Sequence, residues 1–330
     1  MDDHRFIPSH DPMLPEPLRQ LAAPVRGLWW AGERAALGRG IRIGIVGSRQ
    51  PRVDSEHHAR TIARDAGRMG LTVVSGLAIG IDGVAHRAAL AGGGDTIAVL
   101  AGGLAHVHPT RHRDLARQIA GSSHARGVRA GAFAGARGAV VTEYGVGEEP
   151  SYPNRFTERN RIIAALSDYL VVVQAKPRSG SMSTVRVALE LGIPVGIVPS
   201  APEDPCYGGS LELVREGADC VVDGRSLCLR LEANGVVRRG FADAVRDGAV
   251  ADPDRPGEWM GAPEGAVEPS IPPGLVNHPL ASMLDVPRQL DEIADLAGMT
   301  VRDARRMLLE LEANGDIVFT DDGQWVSVGR

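Results

Sequence analysis

Seven short apolar runs recur between residues 42 and 222, most of them followed by a stretch with helical spacing. This alternation constrains the fold more than any other feature of the chain. The runs are Arg42–Val46, Leu71–Val74, Thr96–Leu100, Ala139–Thr142, Tyr169–Gln174, Val195–Val198 and Cys220–Val222. Helices are predicted over Asp54–Met69, Ile79–Ala91, Arg111–Ala120, Thr157–Leu166, Met182–Leu191 and Ser210–Glu216. Strands that are apolar throughout and separated by helices form a mostly parallel sheet covered on both faces. The predicted class is α/β, a Rossmann-like doubly wound sheet with its binding site at the carboxyl ends of the strands.

At 330 residues the chain is long enough for two domains. Residues 1–17 read as an N-terminal tail, 18–240 as the Rossmann-like domain, 241–276 as a linker rich in Pro, Gly and acid, and 277–330 as a small winged-helix domain. The last assignment rests on two helical stretches around a Gly-Met-Thr turn, with Thr300 to cap the second helix and Gly315 to end it. A hairpin through Asp321-Asp322-Gly323 follows as the wing. Gly121–Gly138, rich in Gly, Ala and Arg, reads as a flexible loop. The N-terminus has no signal-peptide run and no stretch approaches a membrane span, so a soluble, cytoplasmic protein is expected. Cys206, Cys220 and Cys228 have neither metal-ligand nor disulfide spacing.

The chemistry concentrates in two places. "IGIVGSRQP", Ile43–Pro51, ends a strand in Gly-Ser-Arg, which is either a phosphate-binding edge or a tight turn with an exposed arginine. "FTERNRIIAALSDYLVVVQAKPRSGSMST", Phe156–Thr184, holds the chain's single lysine, Lys176. Between Ser151 and Glu190, six Lys or Arg face three acids, in a chain whose net charge is -5. Such local charge beside a helix start suits a polyanion. Phe156 offers either a stacking face for an unpaired base or a hydrophobic staple for the helix it precedes. Arg161 can clamp a phosphate or turn inward to a buried carboxylate.

Other chemistries fit less well. There is no GxGxxG, and the second strand ends in Ser75 where a dinucleotide fold needs an acid; the lone lysine is not in a P-loop. Asp82 and His86 share a helical face, either as an acid–base pair or as a helix-dipole acid beside a core histidine. His106, His108 and His112 lie in a Pro-containing loop with no acid at ligand spacing, so they read as surface imidazoles. No metal, no cofactor and no catalytic residue is expected.

Taken in order, "GIVGSR", "SGLAIGIDGVAHRAAL", "TIAVLAGGL", "FTERNRIIAALSDYLVVVQA", "SGSMST" and "GIPVGIVPS" resemble the DprA/Smf DNA-processing family from about Leu18 to Val222. The resemblance implies an extended Rossmann fold that binds and protects single-stranded DNA. It further implies loading of a RecA-type recombinase during natural transformation, dimerisation through the Rossmann domain and no enzymatic activity. By position, the strand pocket would contain Ser48, Arg49, Phe156, Arg159, Asn160, Arg161, Lys176, Ser179, Gly180 and Ser181. Several positions depart from the family: His108-Pro109-x-x-His112 stands for Tyr-Pro-x-x-Asn, Thr157 for the Pro of Phe-Pro-x-Arg-Asn-Arg, and Ser200 for the Gly of Pro-Gly. Two rival functions compete. A phosphoribohydrolase resembling the cytokinin-activating enzymes would need a glutamate where Val187 stands. A nucleotide-sensing winged-helix regulator would need a basic recognition helix, yet Arg302, Arg305 and Arg306 share theirs with Asp303, Glu310 and Glu312.

Overall fold

The computed structural model describes residues 4–12, 14–33, 35–38, 40–121, 138–150, 154–199 and 204–246, with the short pieces 250–251, 259–260, 308, 317–319 and 325–327. The elements run β1 (His4–Pro8), α1 (Glu16–Arg19), β2 (Gly27–Gly32), α2 (Ala35–Gly38), β3 (Arg42–Gly47), α3 (Val53–Arg68), β4 (Thr72–Ser75), α4 (Ile81–Ala91), β5 (Thr96–Val99), α5 (Arg113–Ile119) and β6 (Gly138–Thr142). They continue through α6 (Asn154–Ala165), β7 (Tyr169–Val173), α7 (Gly180–Glu190), β8 (Val195–Ile197), α8 (Gly208–Arg215), β9 (Asp219–Cys220), α9 (Gly224–Ala233) and α10 (Phe241–Arg246). Every strand expected from the sequence is present to within two residues at each end.

These strands form one sheet of nine in the order β1-β2-β6-β5-β4-β3-β7-β8-β9. From β6 to β9 all neighbours are parallel, while β2 joins β6, and β1 joins β2, antiparallel. The chain winds outward from β3 to β6, then returns to the other side of β3 and winds outward again from β7. The strand order therefore reverses between β3 and β7.

Strand alternation divides the core. Val46, Val74, Ile97, Val99, Leu170 and Val172 point to one face and pack under Ile162, Ile163 and Val185 of α6 and α7. Ile43, Ile45, Val73, Val171 and Val173 point to the other, under Ala59, Ile62, Ala63 and Ala66 of α3 and Ala85, Ala88 and Ala89 of α4. The alanine faces let α3 and α4 approach so closely that a methyl on Gly67 would meet the Ala89 carbonyl at 2.7 Å. None of the helices among the described residues is long and apolar enough to cross a membrane.

Two boundaries differ from the sequence reading. Residues 1–17 are not a tail, because His4–Pro8 pairs with β2 along its whole length and Ile7 and Leu14 are buried. Nor does the linker start at 241: Phe241 is fully buried among the residues of α9, and α10 follows directly from it. The chain divides into two compact units, 1–263 and 264–330, with β10 (Val250–Ala251) and β11 (Trp259–Met260) paired inside the first. In the second, β12 (Ile317–Phe319) pairs antiparallel with β13 (Trp325–Ser327), the hairpin expected as the wing. The winged-helix helices, and residues 122–137 of the Gly/Ala/Arg-rich loop, lie outside the described residues.

Candidate nucleic-acid interface

A cleft of about 920 Å³ opens at the carboxyl edge of the sheet, where the strand order reverses. Open α/β sheets place ligands at this position, because the loops after the two central strands diverge there. Three loops and one helix face build it. The end of β3 and the loop after it give Gly47 to Gln50, the loop after β4 gives Ala78 and Ile79, and the β7–α7 connection with the first residues of α7 gives Gln174, Lys176, Ser179, Gly180 and Ser181. Phe156, Arg159, Asn160 and Ile163 recur at helical spacing along α6.

Nine of the ten expected residues line this one cleft, although the three segments that carry them are far apart in sequence. Arg161 is the exception. It points away and pairs with Glu143 just after β6, the inward alternative. Burial pushes the Glu143 carboxyl up, against the pull of that guanidinium.

The nine do not play equal parts. Arg49 and Lys176 are exposed and make no ion pair among the described residues. The Arg49 guanidinium lies over the half-buried Phe156 ring at 5.7 Å, and His108 meets the same ring edge-on at 5.4 Å. Phe156 is thus presented between two polar neighbours at the mouth of the cleft, with part of its surface open. Ser181 donates to the Gly47 carbonyl at 3.0 Å and so ties α7 to the end of β3. Gly180 opens α7, and in its first turn the Met182 amide donates to the carbonyl of the N-cap Ser179 at 3.1 Å. The Ser179 hydroxyl is buried with no hydrogen-bond partner among the described residues.

Arg159 and Asn160 are structural parts of the cleft. Arg159 is 4% exposed and donates to the Gly76 carbonyl at 2.5 Å and to the Val99 carbonyl, which fastens α6 to the ends of β4 and β5. A side chain at Gly76 would run into that guanidinium at 2.6 Å. Burial lowers the Arg159 pKa to about 10. Asn160 donates to the Gly180 carbonyl and to the Ser183 hydroxyl, each at 3.0 Å, and holds the start of α7.

Asp82 is the only carboxylate among the lining residues. It accepts from the Gly76 and Ala78 amides at 3.1 and 3.4 Å, and burial raises its pKa despite the nearby Arg159. His86 does not join it. That ring is fully buried on Thr96 Oγ1 at 2.7 Å, and desolvation brings its pKa down to about 3. The pair is therefore a loop-capping acid and a core histidine. The three loop histidines also separate: His106 faces Glu149, His108 meets the Phe156 ring edge-on, and His112 is buried against the Leu77 carbonyl rather than on the surface.

Sequence reasoning missed Gln174. It is 1% exposed, has φ +54° in the left-handed region, and accepts from the Arg52 amide at 2.7 Å while donating to the Gln50 carbonyl at 3.4 Å. Left-handed backbone at a non-glycine residue costs on the order of 1–3 kcal/mol and persists where its surroundings enforce it. Leu77, with φ +57°, shares this feature at the end of β4. A polar residue closing an apolar strand was the only signal for Gln174.

Comparison with known proteins agrees with this geometry. The family model described as DNA recombination-mediator protein A matches residues 5–232. Protein Smf of Synechocystis is 30% identical over 327 residues, covering 94% of this chain and 77% of that one. DNA processing protein DprA of Bacillus subtilis is 34% identical over 215 residues, 65% of this chain and 67% of that one. Among solved structures, DprA of Streptococcus pneumoniae superposes with a TM-score of 0.60 at 32% identity, over 68% of this chain and 74% of that one. DNA processing protein A of Helicobacter pylori, described for its single-stranded DNA binding mode, gives 0.59 at 26% identity over 70% and 97%. With a family model that spans most of its sheet and relatives that share both sequence and fold, this chain belongs to the DNA recombination-mediator protein A family.

Proposed function

We propose that the chain binds single-stranded DNA in the cleft between β3 and β7, and that it holds the strand without chemical turnover. One observation carries the reading: two exposed cations that make no ion pair among the described residues, Arg49 and Lys176, flank a presented aromatic, Phe156, at the switch point of the sheet. Cations neutralise phosphates, and an aromatic face stacks on any unpaired base, a combination that selects single strands over duplex without reading sequence. The ligand of the Helicobacter pylori relative supports it.

We further propose a second step, delivery of the strand to a RecA-type recombinase by a cytoplasmic homodimer joined through the Rossmann-like domain, during natural transformation; of this, the family description, DNA recombination-mediator protein A, supports the mediation of recombination. Hydrolysis is disfavoured because Val187 packs against the core instead of supplying a carboxylate to the cleft. The test is a titration of single-stranded and blunt duplex DNA at several salt concentrations, with a mononucleotide hydrolysis assay alongside. Preference for the single strand, weakened by salt, is expected. Equal affinity for duplex or a flat salt response would sink the reading, and nucleotide turnover that tracks enzyme concentration would restore an enzyme.

A further inference from the structure

Of the 36 basic residues in the chain, one is a lysine, Lys176, and the rest are arginines. The difference is chemical as well as geometric. A guanidinium keeps its charge in a protein, whereas a lysine amine loses its charge when acyl transfer turns it into an amide. Acyl chemistry can therefore silence a single side-chain cation of this protein, and that cation lines the cleft.

The fold presents Lys176 for such a reaction. Its carbonyl accepts from the Ser179 amide at 3.1 Å, and a methyl group on Gly209 would meet that carbonyl at 2.8 Å. The preceding residue is tied down as well: the Ala175 amide donates to Ser210 Oγ at 3.0 Å, and its carbonyl accepts from the Gly209 amide at 2.9 Å. On this anchored main chain the lysine side chain is exposed and makes no ion pair among the described residues. Arg49, from the loop after β3, is the other exposed cation of the cleft. Two cations in one concave site concentrate small anions there. An acyl phosphate is such an anion, and its carbonyl carbon lies only one oxygen away from the phosphorus. A neutral acyl donor gains nothing from the same charges.

We propose that Lys176 is an acylation site, modified by small acyl phosphates that dock on Arg49, and that the modification turns down strand binding. The proposal rests on the strand-binding reading of the cleft and adds a way of regulating it. In the reaction the neutral amine of Lys176 attacks the carbonyl carbon, the bond from that carbon to the phosphate oxygen breaks, inorganic phosphate leaves with the electron pair, and the nitrogen gives its proton to water. Arg49 stabilises the departing phosphate. A bound strand occupies both cations, so only the empty protein is modified.

The test treats the full chain with acetyl phosphate or with the N-hydroxysuccinimide ester of acetic acid, a donor without phosphate, and follows Lys176 by peptide mass mapping. Acetyl phosphate is expected to modify Lys176 about tenfold faster than it modifies a free lysine amide. Arg49→Ala should remove that advantage and leave the rate with the neutral ester no lower. Saturating oligothymidylate should block the reaction. The acetylated protein should bind the strand about fivefold more weakly at 0.1 M salt, the size of one lost phosphate contact, as should Lys176→Gln, while Lys176→Arg binds normally and takes no acetyl group. A rate equal to that of the free amide, or one indifferent to Arg49, overturns the proposal and leaves the strand-binding reading standing. Unchanged binding after acetylation overturns the regulatory role. Rapid acetylation that a saturating strand does not block overturns the strand-binding reading together with the regulation, because the strand then lies elsewhere.

Discussion

Charge and stacking make separable contributions in this cleft, so substituting Arg49 and Phe156 in turn should give different signatures. Arg49 is exposed and makes no ion pair among the described residues, so its loss removes one phosphate contact and lowers the slope of log affinity against log salt by about 0.7. At 0.1 M salt that slope corresponds to about fivefold weaker binding, shrinking towards nothing as salt approaches 1 M. Lys176→Ala should behave alike. Phe156→Ala should lose about 1–3 kcal/mol at every salt concentration, because stacking releases few counterions. The two residues also touch, with the guanidinium 5.7 Å from the ring centre, a contact worth about 0.5–1 kcal/mol at an exposed site. The Arg49/Phe156 double variant should therefore depart from additivity by about that much, whereas Lys176 and Phe156 should add. Fluorescence anisotropy on a single-stranded oligonucleotide across a salt series, with thermal melts to confirm folding, reads all of these. A wild-type slope in both Arg49→Ala and Lys176→Ala would refute the reasoning, since the cations would then be solvated side chains.

Gln174→Leu should release the only side chain from another element that bonds the main chain of residues 49–52 among the described residues. Affinity is expected to fall about fivefold, the size of one lost phosphate contact, with no further loss when Arg49→Ala is added; additive losses in the double-mutant cycle would show that Gln174 does not act through Arg49. Arg161→Ala should destabilise by about 2 kcal/mol by leaving the largely buried Glu143 without its cation, while the folded variant binds the strand normally; an unchanged melt with weakened binding would return Arg161 to the interface. His86 has a folded pKa of about 3 against an ordinary 6.5. Between those values the unfolded chain binds the extra proton, so stability contributed by neutral His86 is present above pH 6.5 and declines as pH falls, by up to about 1.4 kcal/mol per unit. Denaturant melts between pH 6.5 and 5 should show a shallower decline in His86→Gln than in the wild type, and parallel curves would count against a buried neutral ring.

Six of the strands read from the sequence, β3 to β8, were legible because they are largely buried on both faces and therefore read as continuous apolar runs. The two strands of the nine-stranded sheet that escaped notice sit where that signal fails. β1, HRFIP, buries one side chain and exposes three, and an edge strand with such a pattern looks like a tail. β2 carries Trp29 and Trp30 within six residues bounded by glycines, too short to separate from a loop by periodicity. Phe241 shows the converse problem: one aromatic, fully buried, extends the domain into what composition marks as linker. Sequence reports average burial along a window, whereas a boundary can depend on one side chain finding a cavity.

The site was legible in its membership and much less so in its roles. Arg49, Phe156 and Lys176 stand in segments that end or flank the central strands β3 and β7, and the doubly wound pattern alone brings those segments together. Which arginine faces the ligand is a different question, settled by partners distant in sequence. Arg159 and Arg161 are two residues apart on α6, about 200° around the helix, and neither is free. One is fixed by carbonyls at the ends of β4 and β5, the other by Glu143 beyond β6. Charge counting gave the whole segment a surplus of three, yet the geometry spends three of its cations, Arg155, Arg159 and Arg161, on holding α6 in place. Within the cleft, what remains for a ligand is one cation from each of the two central loops, Arg49 and Lys176, with an aromatic between them. A surface with so few committed charges can bind a long strand through repeated weak contacts and still release it, which the proposed delivery of the strand requires.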